Sequence, residues 1–176
     1  MVVARAVSLA AACALLMSGS AMPATGLAPP VSFEQRLLLA HNAERVSVGA
    51  PPLRWNFQLA QGARQWADFL ARSGRFEHSP KTVGIAPVGE NIWGGTPGAF
   101  GPEAMVGLWV AERRDFQPGV FPANSRTGRV ADVSHYTQVV WRRTTEVGCA
   151  LSSGGAQDIL VCRYSTAGNM IGGVVL

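Results

Sequence analysis

The sequence is poor in lysine, histidine and cysteine, and these shortages limit the functions open to the chain. Lys81 is the only lysine among 15 basic residues, and the arginines are scattered apart from the pairs Arg113-Arg114 and Arg142-Arg143. Without a basic run or a nucleic-acid motif, we do not expect nucleic-acid binding at a net charge of +4. The mild positive charge is typical of a soluble surface that is attracted to anionic membranes or envelope polymers.

The main apolar run lies at the N-terminus and is typical of a secretory signal. Arg5 precedes an apolar run from Val7 to Met17, which is too short to cross a membrane comfortably, and small residues follow it. We predict a signal peptide over residues 1–24, a proline-rich lead-in over residues 25–32 and one domain over residues 33–176. A retained anchor is the alternative, and the prolines that follow the run argue against it. The mature protein is therefore expected to be extracellular or periplasmic, with no membrane span.

Signal removal leaves two cysteines, Cys149 and Cys162, in an oxidising compartment. The glycines between them predict a β-hairpin, and a hairpin centred between Gly155 and Ala156 places the two cysteines opposite each other. Facing Cα atoms in antiparallel strands lie about 4.5–5.5 Å apart, which is within reach of a disulfide. Two free buried thiols are the alternative.

Turn residues, helix caps and apolar periodicity predict the order of the secondary-structure elements. The predicted elements are a helix over about Ser32–Val48, a helix from Asn56 to Gly74, an irregular stretch over Phe76–Phe100, a helix from Pro102, a long loop over 116–133, a short helix over His135–Arg142, a hairpin of Val147–Leu151 and Ile159–Tyr164, and a last strand at Gly172–Val175. Helices that come early and strands that come late indicate an α+β domain.

Four short motifs occur in a fixed order along the chain, and the densest joins a histidine, polar side chains and a tryptophan within seven positions. The motifs are His41-Asn42-Ala43-Glu44-Arg45, Gly89-Glu90-Asn91-Ile92, His135-Tyr136-Thr137-Gln138-Val139-Val140-Trp141, and Cys162-Arg163-Tyr164-Ser165-Thr166-Ala167-Gly168-Asn169. Together they resemble the signatures of the CAP superfamily, which contains cysteine-rich secretory proteins, venom antigen 5 and plant pathogenesis-related proteins. The resemblance covers nearly all of the chain after residue 33.

The resemblance implies a fold and a cleft. The implied fold is an α-β-α sandwich with a small antiparallel sheet between helical layers. Four side chains that would line a central cleft are His78, Glu90, Glu112 and His135. The other motif residues are expected to form the packing and hydrogen-bonding frame: His41, Asn42, Arg45, Asn91, Tyr136, Gln138, Trp141, Tyr164 and Asn169.

Two imidazoles and two carboxylates suit a divalent cation, and histidine ligands favour zinc. The glutamates are expected either to bind the ion directly or to orient the histidines from behind. The alternative for all four residues is a solvated polar cleft that stabilises the fold without any chemistry. Glu112 stands next to Arg113-Arg114 and fits a solvated charged face equally well.

These observations favour an exported binding protein that takes a divalent cation in its cleft and a lipid, sterol or envelope polymer elsewhere. The first alternative is a metal-dependent hydrolase of peptides or esters, because an open metal position can activate water. The second alternative is an interaction module whose loop over 116–133 binds a partner while the cleft is incidental. Since no nucleophile is recognisable, we favour binding over catalysis.

Overall fold

The computed structural model describes residues 30–80, 87–153 and 156–176, and all of its helices and strands lie in one compact unit, Val31–Leu176. In chain order these elements are α1 (Phe33–Ser47), β1 (Arg54–Trp55), α2 (Phe57–Ser73), β2 (Gly89–Gly95), α3 (Pro102–Val110), α4 (Ser134–Val140), β3 (Glu146–Ser153) and β4 (Asp158–Ser165). Short 3₁₀ helices cover Ala111–Asp115 and Val130–Asp132. The signal peptide, most of the lead-in and the centre of the hairpin turn fall outside the described residues.

The first two helices begin at the caps that the sequence predicts. Ser32 and Gln35 form a capping box, in which the Gln35 N–H donates to Ser32 Oγ over 3.2 Å and the Ser32 N–H donates to Gln35 Oε1 over 3.0 Å. The Asn56 side chain accepts from the backbone of Gln58 and Leu59 at the start of α2. Gly74 ends α2 in the left-handed conformation.

The sheet has the strand order β1-β3-β4-β2. β3 and β4 form the predicted antiparallel hairpin, and their register pairs Cys149 with Cys162. The two cysteines form the predicted disulfide, and their Cα atoms lie 4.0 Å apart, which is closer than the spacing that the hairpin predicted. β2 pairs with β4 antiparallel, whereas the two residues of β1 run parallel to β3, so the sheet is mixed.

Two predicted elements were wrong. The stretch over Phe76–Phe100 is not irregular throughout, because Gly89–Gly95 forms the seven-residue edge strand β2. Its glycines hide the strand pattern, although Asn91–Trp93 at its centre are buried. The last strand predicted at Gly172–Val175 is instead a turn with a single β-bridge between Val174 and Val120.

The sheet separates two hydrophobic clusters, which confirms the α+β sandwich. On one face, α2 packs Ala63, Ala67 and Leu70 against sheet residues that include Ile92 and Val161. On the other face, a larger cluster joins α1, α3 and α4 to side chains such as Leu160 and Tyr164. Across the described ranges, no helix has both the length and the hydrophobicity that crossing a membrane requires.

Candidate functional site

Two histidine–glutamate pairs form the candidate site, and both have the same geometry. His78 Nδ1 lies 2.9 Å from Glu90 Oε1, and His135 Nδ1 lies 2.6 Å from Glu112 Oε1. Because an ionised carboxylate only accepts hydrogen bonds, each Nδ1 carries the proton. With the proton on Nδ1, the Nε2 lone pair of the neutral form of each ring is the one available to a ligand. The structure therefore joins the four predicted residues as two pairs.

Glu90 lies at the edge of the sheet with only 7% of its side chain exposed. Its Oε1 accepts from the Ser79 N–H over 2.9 Å, and its Oε2 accepts from Ser79 Oγ over 2.7 Å and lies 3.4 Å from Arg163 Nε. Burial opposes ionisation, but the hydrogen bonds from His78 and Ser79 and the Arg163 charge hold the pKa of Glu90 below its usual value. The hydrogen bond to Glu90 raises the pKa of His78, although partial burial acts against this.

Glu112 is placed by the 3₁₀ helix that continues α3, and it both orients His135 and caps α4. Its Oε2 accepts from the backbone N–H groups of His135 and Tyr136, each over 3.0 Å. The N-cap residue of α4, Val133, has no side chain that can accept these bonds. A carboxylate at a helix N-terminus is also favoured by the helix dipole. The position of the imidazole is therefore fixed together with the start of its helix.

Asn91 connects the two pairs through buried polar groups. It follows Glu90 on β2, and its Nδ2 donates to the His135 carbonyl over 3.1 Å and to the Tyr164 hydroxyl over 3.3 Å. Tyr164 donates in turn to His41 Nε2 over 2.9 Å, while His41 Nδ1 donates to a carbonyl of its own helix. Burial lowers the pKa of His41 to about 4, so this ring is neutral. Both of its nitrogens already take part in hydrogen bonds, which leaves neither free for a ligand.

Arg45 holds the end of α1 to the chain that follows α4. It is fully buried and donates to the carbonyl oxygens of Pro51, Val139, Trp141 and Thr144 over 2.7–3.0 Å. Four carbonyl acceptors satisfy the guanidinium, although burial lowers its pKa to about 10. Arg45 therefore lies in the frame and does not reach the histidine pairs through any of these bonds.

The other frame residues brace the chain around α4. Gln138 Oε1 accepts from the Gly168 N–H over 2.9 Å, and its amide fills the space that a side chain at Gly89 would need. Asn169 donates to the Ser134 carbonyl over 2.8 Å and accepts from Thr137 over 2.7 Å. Asn42 exchanges two hydrogen bonds with the backbone of Leu53.

Sequence reasoning missed three polar residues of the site. Ser79 and Arg163 contact Glu90, and Glu44 accepts from the Tyr136 hydroxyl over 3.0 Å and from Arg113 over 3.2 Å. Glu44 stands three residues after His41 on the same helix, and this spacing could have placed both side chains on the same helix face. Arg163 faces Glu90 only through the pairing of β2 with β4, and that strand was not predicted.

The residues present fit a cation held by imidazoles more closely than one held by all four side chains. Within the part of the chain that the structure describes, no three His, Cys, Asp or Glu side chains converge as a metal-binding group. Both carboxylates already accept several hydrogen bonds, whereas neither Nε2 has a hydrogen-bond partner among the described residues. The glutamates are thus placed to orient the histidines.

Comparisons with known proteins agree with this fold and these motifs. The sequence model of the cysteine-rich secretory protein family, CAP, matches residues 38–164. A pathogenesis-related protein of PR-1 type from Sambucus nigra is 37% identical over 137 residues, which cover 76% of this chain and 75% of the relative. Pathogenesis-related protein 1 from Arabidopsis thaliana is 35% identical and covers 78% of each chain. Among solved structures, NaASP2 with Zn²⁺ matches with a TM-score of 0.67 at 22% identity, over 88% of this chain and 89% of NaASP2.

Proposed function

Because this chain belongs to the cysteine-rich secretory protein family, we propose that it is an exported binding protein that takes a divalent cation through His78 and His135. The observation that carries this proposal is the repeated geometry of the two pairs. In each pair a carboxylate takes the Nδ1 proton and leaves Nε2 as the donor atom. Neutral imidazole with a carboxylate behind it is the usual form of a histidine metal ligand.

Zinc is the ion that this donor set favours. Imidazole nitrogen suits zinc, whereas magnesium and calcium prefer sites built from oxygen ligands. Glu90 and Glu112 have most of their lone pairs occupied by N–H and O–H donors, which leaves the two nitrogens as the principal ligands. NaASP2, which shares this fold, was solved with Zn²⁺, and this supports the choice of ion.

We favour binding over hydrolysis because Glu90 and Glu112 are already engaged by hydrogen-bond donors. A bound zinc ion supplies a Lewis acid that lowers the pKa of a coordinated water. A hydrolase also needs a base that is free to take a proton. Glu90 and Glu112 each accept from a histidine and from the backbone, so their role here is to hold the Nδ1 protons in place.

The proposed location is extracellular or periplasmic, and the proposed second ligand is a lipid, sterol or envelope polymer. The N-terminal apolar run, the Cys149–Cys162 disulfide and the similarity to PR-1 proteins support export. The alternative function is an interaction module that binds a partner through the loop over 116–133. The regular structure of this loop is limited to the short 3₁₀ helix at Val130–Asp132.

Calorimetric titration of zinc into the chelator-stripped protein tests the cation proposal. We expect one site, with binding lost in His135→Ala and in the double variant with His78→Ala. Glu77→Gln is the matched control, because Glu77 neighbours His78 but pairs with Arg75 at the surface. Equal zinc affinity in the parent protein and the double histidine variant would show that the cation is held elsewhere.

A further inference from the structure

A turn near the C-terminal end of the described chain displays aliphatic side chains on the surface. Ile171 is 86% exposed, and Met170 and Val174 are 52% and 58% exposed. Val120, which is 50% exposed, extends this surface because it forms a β-bridge with Val174. Single exposed apolar residues are common, but a contiguous group of this kind marks a surface that is covered when the protein acts.

The backbone under these side chains is firmly held. The Gly173 N–H donates to the Met170 carbonyl over 2.9 Å and closes the turn, in which Gly172 has a φ of 82°. Phe121 exchanges two hydrogen bonds with the turn, over 2.8 and 2.9 Å. Below the turn, Trp141 lies so close that a Cβ on Gly173 would come within 2.7 Å of its ring. A turn fixed in this way presents Ile171 without further ordering on binding.

Two exposed arginines stand beside the turn. Arg142 and Arg143 line a groove of about 560 Å³ together with Met170 and Val174, and none of the lining residues has an acidic side chain. Arg142 donates one hydrogen bond, to the Gly49 carbonyl over 3.1 Å. Among the described residues, Arg143 has no partner for its guanidinium in any hydrogen bond or ion pair. Among the described residues of this surface, the two cations therefore have no acidic side chain facing them.

We propose that this docking surface, formed by residues 170–174 with Val120, Arg142 and Arg143, binds the protein to an anionic lipid membrane. Ile171 enters the boundary between headgroups and acyl chains, and the arginines bind lipid phosphates. The inference rests on the lipid part of the proposed function and is independent of the cation.

Charge complementarity selects this occupant over a neutral membrane. Guanidinium groups match phosphate oxygens in a bidentate geometry, and basic residues beside an apolar insertion are typical of interfacial membrane binding. A membrane without net charge would bind the aliphatic side chains, but Arg142 and Arg143 would add little to its affinity. The apolar and cationic groups occur together at one place, which is what an anionic bilayer requires.

Vesicle co-sedimentation tests this proposal with the protein that lacks residues 1–24. That form keeps the whole compact unit Val31–Leu176, with both hydrophobic clusters and the disulfide, so it is expected to fold. We expect binding to vesicles of phosphatidylcholine mixed with phosphatidylglycerol and not to phosphatidylcholine alone. Ile171→Ser should weaken binding about tenfold, because a large aliphatic side chain is no longer buried in lipid.

The charge part of the surface is tested by Arg142→Gln combined with Arg143→Gln. We expect about a thirtyfold loss at low salt, since each basic residue near an anionic surface contributes roughly fivefold. Raising the salt concentration should weaken the parent protein more than this variant. Controls are Leu39→Ser, which removes an aliphatic side chain on α1 that is 60% exposed, and Arg72→Gln, which removes one exposed charge on α2.

The outcomes separate this proposal from the cation site. The variant with both His78→Ala and His135→Ala is expected to sediment with anionic vesicles as the parent does. Equal binding by the parent and the docking-surface variants, equal binding to both kinds of vesicle, or no binding to either would overturn the proposal. A normal thermal midpoint for Ile171→Ser excludes misfolding as the cause of a loss.

Discussion

Glu112 accepts hydrogen bonds from three donors, and two of them are the backbone N–H groups that begin α4. The third donor is His135 Nδ1, so one carboxylate fixes the tautomer of the ring and the position of its helix. At Glu90 the arrangement is similar, with Ser79 supplying the backbone donor. At the scale of single residues, ligand orientation and local folding therefore depend on the same atoms.

Replacement of Glu112 by glutamine tests both of these tasks. An amide supplies one oxygen instead of two, so it cannot accept both from the backbone N–H groups that begin α4, which bond Oε2, and from His135 Nδ1, which bonds Oε1. One of the two interactions is lost, and the one that remains lacks the charge of the carboxylate, so both are weakened on average. We expect the free energy of unfolding to fall by about 1 kcal/mol, as for loss of a helix cap. Zinc affinity should fall by about 10- to 100-fold, as for loss of a group behind a histidine ligand. Chemical denaturation and calorimetry measure the two effects, and unchanged zinc affinity would contradict the orienting role.

The lowered pKa of His41 leads us to expect that the free energy of unfolding depends on pH. Its pKa is lowered to about 4 from 6.5 because it is buried, so the unfolded chain binds a proton that the folded chain does not accept between these values. The stability from a neutral His41 is present above pH 6.5 and is lost as the pH falls toward 4. The loss amounts to about 3 kcal/mol.

Urea denaturation at several pH values, compared between the parent protein and His41→Gln, measures this contribution. The glutamine oxygen can still accept from Tyr164, but it does not titrate. We expect the variant to be less stable at pH 7 and the difference between the two proteins to shrink as the pH falls to 4. Other groups, such as His78 with its raised pKa, contribute equally to both proteins and cancel. A constant difference across this range would show that His41 is not responsible.

At the scale of elements, the first turn of α2 packs directly on β3. A Cβ on Gly148 would meet the backbone of Asn56, Leu59 and Ala60, and none of these atoms can move without shifting the helix. We expect Gly148→Ala to reduce the free energy of unfolding by about 1–3 kcal/mol, the usual cost of overpacking. Denaturation curves measured by circular dichroism provide the value.

Gly107 in α3 provides the matched control. It lies on an exposed helix face, and no atom beyond its own helix backbone lies within 4 Å of a Cβ placed there. Gly107→Ala should therefore raise stability by about 0.5–1 kcal/mol, because alanine is favoured over glycine within a helix. If both alanine variants changed stability in the same direction, close packing between α2 and β3 would not explain the requirement for glycine at position 148.

Elements that depend on local sequence were predicted well, and β2 was not, for a physical reason. The Ser32 and Asn56 caps and the hairpin register follow from residues a few positions apart. β2 contains glycines where other strands carry side chains, and at Gly89 the cause is the Gln138 amide, which lies 49 positions along the chain. A contact of that range leaves no periodic pattern in the strand itself.

The four candidate ligands were grouped by resemblance to a family, because their spacing alone does not connect them. What the resemblance did not supply is how they pair. His78 meets Glu90 because β2 lies at the edge of the sheet, and His135 meets Glu112 because a 3₁₀ helix follows α3. Glu44 and Arg163 reach the site because separate helices and strands pack together. The sequence alone did not predict those contacts between elements.

At the scale of the whole molecule, the two histidines come from chain segments next to different layers of the sandwich. His78 follows α2, which covers one face of the sheet, and His135 is in α4, which packs on the other. A cation shared by both imidazoles would therefore link the two layers. The frame of Asn91, Tyr164 and His41 already runs between β2 and the α1 layer, so the link would add to existing contacts.

Cation binding should for this reason stabilise the entire fold. Free zinc at one hundred times its dissociation constant is expected to raise the free energy of unfolding by about 2.7 kcal/mol, provided that the unfolded chain does not bind it. The two cysteines are held in a disulfide, which limits binding to the unfolded state as long as no reductant is present. Thermal denaturation with and without zinc, for the parent and for the variant with His78→Ala and His135→Ala, measures the effect. A rise in the parent alone would assign the stabilisation to the two imidazoles, whereas an equal rise in both proteins would place the ion elsewhere.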